Sequence, residues 1–91
     1  MINIIGGHKK RTKIKIPSND VRPTSAKKRE AMFSIIESYQ KKINYNIYEK
    51  KNILDLFAGS GALGLEAISR GGNFAYFYEK NTNVIKYLKY N

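Results

Sequence analysis

The apolar run at residues 52–57 (NILDLF) leads directly into Ala58-Gly59-Ser60-Gly61-Ala62-Leu63-Gly64, which completes a G-x-G-x-x-G. A strand that feeds a glycine turn and then a helix commits a chain to βαβ architecture, because the glycines permit a tight turn and close packing of helix on strand. The residues that follow agree. Residues 62–70 have helical spacing, Gly71-Gly72 supplies a left-handed stop, residues 74–78 are aromatic and strand-like and end at Glu79, and Val84, Ile85 and Leu88 mark a last helix. The fold class is α/β: one βαβ unit plus a helix, the opening part of a doubly wound sheet.

Gly59, Gly61 and Gly64, with Glu79 lying 20 positions beyond Gly59, meet the spacing of a dinucleotide site. Asp55 changes the expected ligand. It lies in the strand that feeds the loop, and two like charges 6 Å apart at an effective dielectric of 20 repel by about 2–3 kcal/mol. A pyrophosphate is disfavoured there, whereas S-adenosylmethionine carries a sulfonium and an ammonium and no phosphate. Glycines let the backbone approach such a ligand closely, Glu79 is placed to accept from two ribose hydroxyls, and Phe77 or Tyr78 is placed to flank an adenine.

The first half is where the charge lies. The 91 residues carry a net charge of +10; residues 1–51 hold 13 of the 17 Lys/Arg, and residues 52–91 are nearly neutral. A positive face attracts phosphate backbones, although Lys, Asn, Ile and Tyr are also the residues that A/T-rich codons encode. Asn3-Ile4-Ile5 and residues 13–16 read as two short strands, with Arg11, Lys13 and Lys15 on one face and Ile14 and Ile16 on the other. Residues 17–20 are expected to form a turn. Thr24 or Ser25 opens a helix whose core stripe is Met32, Ile35, Ile36, Tyr39 and Ile43, and residues 44–52 link it to the second half.

There is no cysteine, and His8 is the single histidine, so thiol nucleophiles, disulfides and the usual zinc ligand sets are excluded. His8 reads as a solvated side chain. No apolar run is long enough for a membrane span, and no export signal begins the chain, so a cytoplasmic location is expected.

DLFAGSGALGLEAISRG, the preceding VRPTSAKKREAMFSII, and IIGG followed by a basic turn together resemble the bacterial 16S ribosomal RNA (guanine-N2)-methyltransferases, the small-subunit methyltransferase D type. The resemblance covers nearly the whole chain. It implies an N-terminal β-hairpin and helix at residues 1–51, facing RNA, and then a truncated βαβα part of a Rossmann-like class I methyltransferase sheet at residues 52–91. It implies S-adenosylmethionine held by Asp55, Phe57, Ala58, Gly59, Ser60, Gly61, Glu79 and Lys80. Ribosomal RNA would be met by Lys9, Lys10, Arg11, Lys13, Lys15, Arg22 and Thr24.

Two departures matter. The turn at residues 8–12 lacks a glycine usual in the family. The family's catalytic Asn/Asp-Pro-Pro-Tyr is absent, since the only prolines are Pro17 and Pro23. No catalytic residue is therefore assigned, and the 91 residues alone are expected to be inactive. The edge of the first Rossmann strand that meets the fourth strand in the family is expected to be unpaired and apolar. A second chain supplying the rest, a split or truncated gene, or a partial sequence would each account for this. The alternative reading is a non-catalytic RNA-binding module or a gene relic.

Overall fold

Two parallel strands need a crossover connection, and the helix after the glycine loop supplies it. The computed structural model describes residues 1–17 and 25–91. In chain order its elements are β1 Ile2–Asn3, β2 Lys13–Ile14, α1 Ala26–Ile43, β3 Asn52–Asp55, α2 Ala62–Ser69, β4 Phe74–Phe77 and α3 Thr82–Tyr90. β1 and β2 pair antiparallel, with Ile2 opposite Ile14; β3 and β4 pair parallel, from Asn52 opposite Phe74 to Asp55 opposite Phe77.

The hairpin strands are shorter than expected because their backbone groups find other partners. Ile5 leaves the ladder, its N–H donating to Glu66 instead. Lys15 likewise gives its N–H and its carbonyl to the Asn91 side chain. β3 stops at Asp55, two residues short of the expected end, since β4 offers a four-residue partner and the Tyr78 N–H closes the pairing on the Asp55 carbonyl at 2.9 Å. Leu56 and Phe57 are left exposed beyond it.

Ser25 caps α1, its hydroxyl accepting the Lys28 N–H at 3.2 Å, and Asn44 ends the helix in the left-handed conformation. The expected core stripe of α1 is corrected by the structure. Met32, Ile35, Tyr39 and Ile43 are exposed, and of that stripe only Ile36 packs against the core. The buried residues are Arg29 and Phe33, four apart and rotated to the neighbouring face. Polar side chains fix that face: Arg29 Nη2 donates to the Asn3 carbonyl at 2.7 Å, and Gln40 Oε1 accepts the Ile47 N–H at 2.7 Å. Asn46 Oδ1 accepts the N–H groups of Tyr48 and Glu49, so the link into β3 is an ordered turn that buries Tyr48.

α2 is the centre of the molecule. On one side Ala62 and Leu65 pack with Ile2, Ile4 and Ile14 of the hairpin; on the other, Leu63 and Ala67 pack with Phe33, Ile36, Tyr48 and Ile53. A helix so covered is apolar nearly all round, as its sequence ALGLEAIS is. The expected turn beyond Pro17, and Arg22, Pro23 and Thr24, lie outside the described residues. Among the described residues no helix is long and apolar enough to cross a membrane, and no cluster of His, Cys, Asp and Glu is arranged to hold a metal ion.

Candidate cofactor site and its basic flank

The glycine loop turns sharply between β3 and α2. Gly59 and Gly61 both have positive φ, at 57° and 96°, and the Gly61 N–H donates to the Ala58 carbonyl at 2.8 Å. The buried Ala58 donates to the Tyr78 carbonyl at 3.0 Å, and this holds the loop against the end of β4. Gly64 serves packing: a Cβ there would stand 2.3 Å from the Phe77 ring. Phe77 is thereby committed to covering α2. Of the two aromatic candidates, Tyr78 is the exposed one.

Glu79 ties both sides of the site together. One carboxylate oxygen accepts the Gly59 N–H at 2.8 Å and the other accepts the Asn81 N–H at 2.7 Å, while Asn81 in turn caps α3 through the Asn83 N–H. A carboxylate offers about four lone-pair positions, so each oxygen keeps one for a further donor. The half-buried carboxylate is thus oriented and still able to accept. Lys80 beside it is exposed, as is Phe57, at 91% the most open large apolar side chain described; Ser60 is buried and its carbonyl accepts from Asn91 Nδ2 at 2.9 Å.

Asp55 sits at the end of β3, and its Oδ2 is buried without a hydrogen-bond partner among the described residues. It borders a groove of about 650 Å³ lined largely by apolar side chains, among them Met32, Phe33, Leu54, Leu56 and Leu63. An unpartnered buried carboxylate oxygen is costly, and a cation or a donor would relieve that cost.

The basic flank is mounted on α2 by residues that sequence reasoning passed over. Glu66, fully buried, accepts the N–H of Ile5 at 2.9 Å, the N–H of Gly6 at 2.8 Å and Arg70 Nε at 2.9 Å. Ser69 Oγ accepts the Lys9 N–H and donates to the Gly6 carbonyl, and the Ser69 carbonyl accepts the His8 N–H. Gly7 passes so close that a Cβ would stand 1.9 Å from that carbonyl. Arg70 also pairs with Glu37; burial opposes its charge, and the hydrogen bonds of Glu66 and Glu37 outweigh this and hold its pKa above the ordinary value. One signal was available in the sequence, a single carboxylate inside an otherwise apolar helix, since Glu is almost never fully buried unless paired.

This mounting leaves Lys9, Lys10, Arg11, Lys13 and Lys15 exposed along the hairpin, with Arg11 at a positive φ of 73° in its turn. Ile14 is buried beneath them. Asp55, the glycine loop and Glu79 therefore share one end of the β3–β4 pair, and the hairpin flanks the same helix.

A family model described as conserved hypothetical protein 95 matches residues 2–91. The chain belongs to that family. An uncharacterised methylase of Rickettsia prowazekii is 41% identical over 87 residues, which are 94% of this chain and 37% of that relative. Ribosomal RNA small subunit methyltransferase D of Escherichia coli K12 is 38% identical over 88 residues, 96% of this chain and 40% of that protein. A solved Escherichia coli chain, putative methyltransferase yhhF, superposes with a TM-score of 0.78 at 33% identity, covering 99% of this chain and 44% of that one. The chain spans about two fifths of the length of the curated relatives it matches. The α/β fold of this family member is thus shared with that solved chain over the residues compared.

Proposed function

We propose that this chain is the donor-binding and RNA-facing part of an S-adenosylmethionine-dependent methyltransferase that acts, in the cytoplasm, on guanine N2 of small-subunit ribosomal RNA. The observation that carries the reading is the unpartnered buried Oδ2 of Asp55 beside a glycine loop whose Gly59 is tied to Glu79. A phosphate ligand would add a like charge next to that oxygen, whereas a cationic ligand offsets it. The names of the relatives support a ribosomal RNA substrate.

S-adenosylmethionine, when bound, supplies an electrophilic methyl group on a sulfonium. This chain's own residues bind and orient it. Asp55 faces the cationic portion, Gly59, Ser60 and Gly61 admit close approach of the backbone with Phe57, Ala58 and Lys80 at the margins, and Glu79 accepts from the ribose hydroxyls. Residues 1–51 do the other part of the work: Lys9, Lys10, Arg11, Lys13 and Lys15, with Arg22 and Thr24, hold RNA by its phosphates. Positioning of the acceptor base falls to the Asn/Asp-Pro-Pro-Tyr turn that the family resemblance implies, and these 91 residues contain no Pro-Pro pair.

The test is transfer of a radiolabelled methyl group to small-subunit RNA, with nucleoside analysis of the product. A longer protein containing these residues yields N2-methylguanosine. The 91 residues alone bind the donor and yield none. A product methylated elsewhere on the base would refute the guanine-N2 assignment. RNA binding indifferent to the donor, with no transfer by the longer protein, would favour the binding-module reading, to which the rigid mounting of the basic hairpin on Glu66 and Ser69 also lends itself.

A further inference from the structure

The exposed corner between β2 and α3 carries chemistry that the cofactor site does not use. Lys15, Lys86, Tyr87 and Tyr90 line a cleft of about 210 Å³ there. Lys15 Nζ stands 5.3 Å from the centroid of the Tyr90 ring. The backbone of Lys15 is fixed, its N–H donating to Asn91 Oδ1 at 2.8 Å and its carbonyl accepting from Asn91 Nδ2 at 2.8 Å. The same Nδ2 donates to the Ser60 carbonyl at 2.9 Å, so the corner is tied directly to the glycine loop.

A simpler role for α3 lysines is to offset the helix dipole, and Lys89 in the last turn does that. Lys86 is one turn earlier and lines the same cleft as Lys15 and two tyrosines. Dipole compensation asks for neither aromatic rings nor a clamp to another element. α3 contains no Asp or Glu, and no carboxylate lines the cleft. At 73% exposure Tyr90 has a ring surface open to a ligand. The cleft is smaller than the roughly 300 Å³ at which enclosed small-molecule sites begin, which fits a contact on a polymer better than a second cofactor pocket.

We infer that Lys15, Lys86, Tyr87 and Tyr90 form a second RNA contact, which holds a single-stranded nucleotide beside the cofactor loop. Tyr90 stacks on a base while Lys15 and Lys86 hold its flanking phosphates, the combination by which single strands are bound without reading their sequence. Continuity with the basic hairpin supports this, since Lys15 belongs to both surfaces. The inference rests on the reading that this family member contacts RNA.

The experiment is fluorescence anisotropy of the 91-residue chain with a labelled single-stranded RNA of about 12 nucleotides, and with a duplex of the same length. Tyr90→Ala is expected to weaken single-strand binding by about tenfold and to leave duplex binding unchanged, whereas Tyr90→Phe restores it. Lys86→Gln is expected to lower the log–log salt slope by about 0.7, and Lys89→Gln is expected not to. All the substituted side chains are exposed, so the fold is kept. If Lys86→Gln and Lys89→Gln act alike, or if Tyr90→Ala has no effect while hairpin substitutions at Lys9 and Lys10 do, the inference is overturned and the RNA reading stands. Failure of the unaltered chain to bind either RNA at low salt would overturn both.

Discussion

The carboxylate of Glu66 and the main-chain N–H of Gly6 meet at 2.8 Å, 60 residues apart in the chain and wholly out of contact with solvent on the Glu66 side. This bond and its companions from Ile5 and Arg70 join the hairpin to the crossover helix. Glu66→Ala leaves three donors without their acceptor and is expected to cost about 3–5 kcal/mol, against a total stability of roughly 5–14 kcal/mol for a chain of this size. Glu66→Gln keeps one acceptor oxygen and should cost less. Urea midpoints of the two variants check this; equal midpoints for Glu66→Ala and the unaltered chain would mean the dock contributes nothing.

Alkaline pH should loosen the other side of α2. Burial pushes the Tyr48 phenol up to about 12, and the charge of Glu37 adds to the effect. In the unfolded chain the phenol gives up its proton near pH 10, so the folded state holds the extra proton between the two values. Stability is then fully present below pH 10 and falls as pH rises from 10 to 12. Tyr48→Phe should flatten that limb while leaving the midpoint at neutral pH little changed. Identical alkaline limbs would refute the assignment to Tyr48.

The contrast between these two docks and the glycine loop shows what the residues alone disclose. Gly59, Gly61 and Glu79 were legible because a strand, a turn needing positive φ and a helix follow one another within 21 residues, and each leaves a local mark. The buried face of α1 was not. Counting apolar positions selects Met32, Ile35 and Tyr39, whereas Arg29, Phe33, Glu37 and Gln40 make the contacts, because hydrogen bonds to Asn3, Arg70, Tyr48 and Ile47 set the helix's rotation. Strand ends were misjudged for a related reason: Ile5 and Lys15 look like strand residues and give their backbone groups to Glu66 and Asn91. Partners distant in sequence decide such cases.

Self-association is expected of the 91 residues by themselves. β3 pairs with β4 on one edge and with no strand on the other among the described residues, and Leu54, Leu56 and Phe57 are exposed nearby. An unpaired apolar edge recruits further strands. Static light scattering should show a mass that rises with concentration, and Leu54→Lys should suppress the rise. A monomer at every concentration would count against an available edge.

Donor binding by the glycine loop, Asp55 and Glu79 decides what this chain does, and titration calorimetry with S-adenosylmethionine and NAD, side by side, measures it. Heat is expected for S-adenosylmethionine, with binding weakened by on the order of tenfold in Asp55→Asn and in Glu79→Ala, and weaker or no binding of NAD. Tighter binding of NAD, or S-adenosylmethionine binding untouched by Asp55→Asn, would contradict it.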